Sequence, residues 1–202
     1  MQRLNKSLFF LAAFVFSCSG RSLDARRSHA SDIAEKFGMR QFSVRTNPFT
    51  LFGYYRFKDQ ADGGYLTIYI EGDGMAWLDR HTISDNPTPR LPMALKLAAR
   101  DPSKKVAYLA RPCQFVDLSL ERHCVKDYWT GGRYSEAVIT SMNSAMTSLK
   151  VRSAAANLHL VGYSGGAAIA VLLASRRTDV SSIRTVAGNL DPVSLFRARN
   201  VT

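Results

Sequence analysis

The sequence predicts an α/β fold: a mostly parallel sheet, antiparallel strands at its N-terminal side, and helices on both faces. Three observations carry this. Aromatic and β-branched runs fill 42–46, 49–57 and 65–70, with turn signals between them. From 65 onward such runs alternate with helical patterns, the rhythm of a parallel sheet covered by helices. Finally, Leu158-His159-Leu160-Val161-Gly162-Tyr163-Ser164-Gly165-Gly166-Ala167-Ala168 reads as a short strand, a glycine-rich turn and the start of a helix.

The chain has 202 residues, a hydrophobic fraction of 46% and a charged fraction of 21%, enough for one domain with a real core. Its formal charge of +11 reads either as a solvated basic surface or as attraction to anionic lipid or polyanions. The basic residues are scattered, as in Arg26-Arg27, Lys104-Lys105 and Arg176-Arg177, without aromatic interleaving, and so give no nucleic-acid signature.

Taken in order, the chain opens with Arg3 and Lys6 ahead of an uninterrupted apolar run over 8–16. That layout is a signal peptide, 1–17, too short for a spanning helix of about 20 apolar residues. Val15-Phe16-Ser17-Cys18 resembles a bacterial lipobox with Cys18 as the lipidated residue, although Phe16 departs from the usual small residue. The expected location is therefore exported: periplasmic, or held on the membrane by a lipid anchor. Residues 18–40 read as a polar tether with a short helix near 32–37, and 41–202 as the α/β domain. Within that domain the first three strands, split by Asn47-Pro48 and Asp62-Gly63-Gly64, read as a β-meander.

Beyond 70 come a Pro-rich loop, a helix over 92–99 opened by Pro92, and a strand over 106–110. A second long loop follows, then a helix capped by Ser135 with Val138, Met142, Met146 and Leu149 on one face. The elbow strand, an Ala-rich helix over 167–174 and a last strand over 183–187 complete the elements. Cys113 and Cys124 remain after leader removal. In an exported chain they read as a disulfide, because His123 alone does not complete a metal site; no metal or cofactor is expected.

The chemistry centres on Gly162-x-Ser164-x-Gly166, the pattern of a nucleophile elbow that lifts a serine off the end of a strand. The five letters alone also suit a trypsin-like loop or a structural glycine turn. The helix-prone run after them argues for strand–turn–helix. Ligands bind beyond the carboxyl ends of parallel strands, where the loops after 70 and 110 meet the elbow. An oxyanion hole there needs two backbone N–H donors. Gly165 supplies one, and the loop after the third strand, with its Gly72-Asp73-Gly74 turn, supplies the other, around Asp73, Gly74 or Met75.

These motifs resemble the α/β-hydrolase superfamily, and more narrowly a group of bacterial α/β-hydrolase lipoproteins without an established substrate. The residues that carry the narrower likeness are Asp85-Asn86-Pro87-Thr88-Pro89-Arg90, Ala110-Arg111-Pro112-Cys113, Trp129-Thr130 and Ala187-Gly188-Asn189-Leu190-Asp191. The resemblance implies a serine hydrolase of small-molecule or lipid esters, thioesters or amides, with Ser164 as nucleophile. It also implies a triad acid and a histidine after the serine. Asp191 is the candidate acid, but no histidine follows Ser164. Among the upstream histidines, His159 faces away from the serine, His29 lies in the tether, and only His81 and His123 sit in loops on the right face. The expectation is a chain truncated before its base. The rival is a non-catalytic envelope lipoprotein that uses the fold for binding.

Overall fold

A computed structural model describes residues 22–58 and 63–191; the expected signal peptide and Cys18 lie outside them. Six strands form one sheet in the order β1-β2-β4-β3-β5-β6: β1 (Arg40–Arg45), β2 (Thr50–Phe57), β3 (Tyr65–Ile70), β4 (Lys105–Leu109), β5 (Asn157–Tyr163) and β6 (Val180–Val186). β1, β2 and β4 are joined antiparallel, whereas β4, β3, β5 and β6 run parallel. Antiparallel N-terminal strands, this strand order and a serine turn after β5 make an α/β-hydrolase-type fold.

The meander expected of the first three strands is corrected. β3 does not pair with β2, because β4 lies between them. Burial explains the arrangement. Leu66, Thr67, Ile68 and Ile70 are all buried, so β3 needs neighbours and layers on every side. The turn signal after β2 is compatible with either path, and long-range pairing decides it.

Alternation divides the core into two layers. Leu66, Ile68 and Ile70 of β3, Ala107 and Leu109 of β4, and Leu158 and Leu160 of β5 face α3 (Glu136–Ser153) and α4 (Gly165–Ala174). Phe52, Tyr54, Val106 and Tyr108 face α1 (Leu23–Lys36) and α2 (Met93–Arg100) on the other side.

α1 corrects the tether reading. Instead of a polar leader with one short turn, 14 residues form a helix that belongs to the domain. Ser22 caps it by accepting the Ala25 N–H, and Ala30 and Ala34, one turn apart, are fully buried against the second layer. Small residues hide this face from a hydropathy reading because they bury little apolar area. His29, placed in the tether by sequence, is on this helix. Arg26 donates to the Thr88 carbonyl at 2.7 Å, and Arg27 Nε donates to the Phe115 carbonyl at 2.9 Å. α1 thereby ties down both long loops at the carboxyl end of the sheet.

Two helices start where the sequence predicts, but for different physical reasons. Ser135 precedes α3, yet its hydroxyl makes no cap bond and is buried without a hydrogen-bond partner. Pro92 precedes α2, where a distant carboxyl does the capping: Glu71 Oε1 accepts the Ala94 N–H at 3.5 Å.

Candidate active site

Ser164 is the N-cap of α4, with φ 50° and ψ −121°, left-handed backbone that a non-glycine residue adopts only under constraint. The constraint is crowding on all sides. A Cβ on Gly162 would stand 2.4 Å from Ala167 Cα, and one on Gly166 would stand 2.5 Å from the Ile70 carbonyl oxygen. Both are backbone contacts, so neither side could yield cheaply. The chain therefore turns abruptly from β5 into α4 with Ser164 at the apex. Its N–H donates to Val186 O at 3.0 Å, and its carbonyl accepts from Asn189 N at 3.0 Å, so β6 and the segment after it hold the turn from one side.

The Gly72-Asp73-Gly74 turn holds the other side. A Cβ on Gly72 would lie 3.1 Å from Ser164 Cβ, and one on Gly165 would lie 2.2 Å from Asp73 Oδ1. The turn after β3 thus packs directly on the elbow. Among the described residues, none accepts the N–H of Asp73, Gly74 or Gly165. Met75 is excluded as a donor, because its N–H bonds Pro87 O at 3.0 Å. Gly74 sits at φ 65°, and a Cβ there would meet Pro87 O at 2.1 Å, so only glycine fits.

Several side chains fasten this turn. Gln114, buried, donates from Nε2 to the Gly72 carbonyl at 3.0 Å, and its Oε1 accepts the Arg111 N–H at 3.1 Å. The Asp73 carboxylate lies 3.3 Å from Arg111 Nη1 and 3.6 Å from Arg133 Nε, both guanidinium groups being buried. Arg111 also donates to the Arg133 carbonyl, and the Tyr134 ring lies beside both guanidinium groups. Burial pushes the Arg111 pKa down, while Asp73 and Tyr134 oppose that shift.

Glu71, buried at the end of β3, accepts the Gly72 N–H at 3.0 Å. Burial raises its pKa to about 7, and the N–H bonds from Gly72 and Ala94 oppose the rise. The Tyr108 hydroxyl lies beside this carboxyl, outside hydrogen-bond geometry, and burial raises its pKa as well.

The Cys113–Cys124 disulfide is formed and closes a loop of sequence separation 11. It borders the segment that carries Arg111 and Gln114. Residues 113 and 115 on either side of Gln114 have φ of 69° and 60°.

The histidines are placed as follows. His159 Nδ1 is 2.6 Å from Ser182 Oγ and its ring stacks on Tyr65, so it is held on the sheet as expected. His81 is exposed at the tip of the Trp77–Ile83 bridge, and His123 is exposed beside Cys124. Among the described residues no side chain hydrogen-bonds the Ser164 hydroxyl. Asp191 is exposed just past β6, two residues beyond the Asn189 contact with the elbow.

The structure therefore brings Ser164, Gly165, Asp73 and Gly74 together and leaves the histidines on α1, on the sheet or at the rim. Sequence reasoning misses Glu71, Gln114 and Arg133 as parts of the site, and uses Arg111 only as a mark of resemblance. The one available signal is their position in the two loops after parallel strands.

No family model matches the chain, and no curated protein matches it. Solved structures do. A protein of unknown function from Staphylococcus aureus is 16% identical, over 74% of this chain and 46% of that one, at a TM-score of 0.42. A membrane phospholipase A, described as a bacterial virulence factor, is 18% identical over 82% and 45%, at 0.43. Brefeldin A esterase, a bacterial homologue of human hormone-sensitive lipase, is 11% identical over 80% and 48%, at 0.40. The chain spans just under half the length of each. The strand order and the serine turn described above are what assign this chain an α/β-hydrolase-type fold.

Proposed function

We propose that this chain carries the nucleophile half of an exported serine hydrolase acting on ester, thioester or amide bonds of small molecules or lipids. One observation carries the reading: a strained serine stands at the contact of the elbow with the turn after β3, where the N–H groups of Gly165, Asp73 and Gly74 have no acceptor among the described residues; Gly165 and Asp73 are the pair taken here. An oxyanion hole requires such a pair, on separate segments beside one nucleophile.

In the proposed reaction Ser164 Oγ attacks the carbonyl carbon while a base takes its proton. The carbonyl π pair moves to oxygen, and the resulting oxyanion is met by the N–H groups of Gly165 and Asp73. Collapse re-forms the carbonyl and expels the alcohol, thiol or amine with that proton; water then releases the acyl group from Ser164. Asp191 is the candidate acid. Among the described residues, the histidines stand on α1, on the sheet or at the rim, and none hydrogen-bonds Ser164. Their placement favours a second reading, in which the elbow is a binding fold without turnover. Export and lipidation at Cys18 remain part of the proposal on the strength of the leader pattern alone.

The test is labelling by a fluorophosphonate of this chain, of Ser164→Ala, and of any longer chain its gene encodes. Modification of Ser164 in either chain, lost in Ser164→Ala, supports the hydrolase. Failure of both chains to react supports the binding reading.

A further inference from the structure

We propose that Gln114 is the positioning residue of the oxyanion hole, acting through the peptide between Gly72 and Asp73; this rests on the hydrolase reading above. The physics is that of a planar unit. The Gly72 carbonyl and the Asp73 N–H belong to one trans peptide and point in opposite directions. A bond that fixes the carbonyl therefore fixes the aim of the N–H. Gln114 Nε2 makes that bond, at 3.0 Å, from a buried side chain.

The orientation of the Gln114 amide is itself determined. Its Oε1 accepts the Arg111 N–H at 3.1 Å, so the NH2 end must face Gly72. Gly74 leaves the room: a Cβ there would stand 2.7 Å from Gln114 Nε2. Arg111 contributes a second tether on the far side of the same peptide, 3.3 Å from the Asp73 carboxylate. Gly72 has no side chain to restrain its own rotation, which makes an outside anchor necessary. Glutamine suits the task because it is a donor and an acceptor at one site and carries no charge. A carboxylate of the same shape would face the Gly72 carbonyl with a second acceptor.

Gln114→Glu is therefore the sharpest test, because its protonated form is again a donor and an acceptor. Two readouts are taken over pH 5–8. One is amide-exchange protection at Gly72 and Met75, whose N–H groups bond Glu71 Oε1 and Pro87 O. The other is the rate of fluorophosphonate labelling at Ser164, expressed as the ratio of variant to wild type. At pH 8 protection at both amides falls at least about tenfold and the labelling ratio falls about 10–100-fold. Both recover toward acid pH, while β5 amides stay unchanged throughout. Gln114→Met, of similar volume, loses both at every pH and decides the question where the glutamate variant fails to fold. Wild-type protection in both variants, or a labelling ratio near one at all pH values, overturns the proposal. Should neither the wild-type chain nor any longer chain its gene encodes be labelled, the hydrolase reading fails, and the exchange data alone decide whether Gln114 sets this peptide.

Discussion

The two flanks of the elbow strand β5 are built differently. On one, β4 and β3 are buried on both faces: all five residues of β4 are buried, and Leu66 to Ile68 and Ile70 of β3 are buried as well. On the other, β6, among the described residues, pairs only with β5 and is exposed or half-exposed at every position. Ser164 stands at the junction. The turn that carries Asp73, its proposed oxyanion donor besides Gly165 of the elbow, belongs to the buried flank and is fastened by Gln114, Arg111, Arg133 and Glu71. Its other supports, Val186 and Asn189, come from the exposed flank through two backbone bonds. Electrostatic preorganisation depends on dipoles that do not reorganise during reaction. The buried flank meets that demand, and it is where this chain concentrates its polar side-chain contacts to the site.

The largest test of this contrast is a pair of truncations. Ile68→Ala, at a fully buried site in β3, should cost about 3–4 kcal/mol. Ile183→Ala in β6, where the residue is 39% exposed, should cost under about 1 kcal/mol. Equal losses in urea melts would remove the distinction between the flanks.

Next is the disulfide. Replacing Cys113 and Cys124 together by serine should cost about 3 kcal/mol, from the entropy of the short loop it closes. Amide exchange should rise around Arg111 and Gln114 and stay unchanged in β6. A rise shared by β6 would mean that the flanks are coupled through the loop.

The flanks also carry two carboxyls of opposite pH behaviour. Burial raises the Glu71 pKa to about 7, so the folded chain holds a proton that the unfolded chain releases above its ordinary value of 4.5. Its contribution is present at low pH and is lost as pH rises between those values, by on the order of 3 kcal/mol. Asp179, between β5 and β6 and paired with Arg177 and Lys150, has its pKa lowered chiefly by the Arg177 hydrogen bond. Its contribution is present above the ordinary 3.8 and is lost as pH falls below that. Stability curves of Glu71→Gln should therefore flatten between pH 4.5 and 7, and those of Asp179→Asn should flatten only in acid. The smallest effect concerns the elbow itself. Ser164→Gly should gain about 1 kcal/mol, because glycine accepts φ 50° without the steric cost that serine bears. A loss on that substitution would show that Ser164 is not strained.

What is legible from sequence follows the range of the interactions involved. The elbow can be read because its letters stand within five residues and Gly162 answers to crowding against Ala167 in the same turn, although Gly165 and Gly166 answer to Asp73 and Ile70 across the fold. β3 is legible to the residue, since its six positions sit between two turn signals. The cysteine pair is readable because only two cysteines remain in the domain. The α1 helix is not, because its buried face is made of Ala30 and Ala34, whose burial only the packed partner reveals. The insertion of β4 between β2 and β3 depends on pairings some fifty residues apart, such as Gly53 with Leu109, which no local pattern encodes. The same holds for the cluster of Asp73, Arg111, Gln114 and Arg133. Each is an ordinary loop residue until the fold brings two loops onto one peptide.

The central claim is that Ser164 is a nucleophile whose oxyanion is received by Gly165 and Asp73. The most direct measurement is a crystal structure of the phosphonate adduct formed by a fluorophosphonate on this chain or a longer one. The account predicts phosphorus bonded to Ser164 Oγ, with its unesterified oxygen about 2.7–3.1 Å from the nitrogens of both Gly165 and Asp73. An adduct at Ser164 whose oxygen points to solvent, or a protein that forms no adduct there, would contradict it.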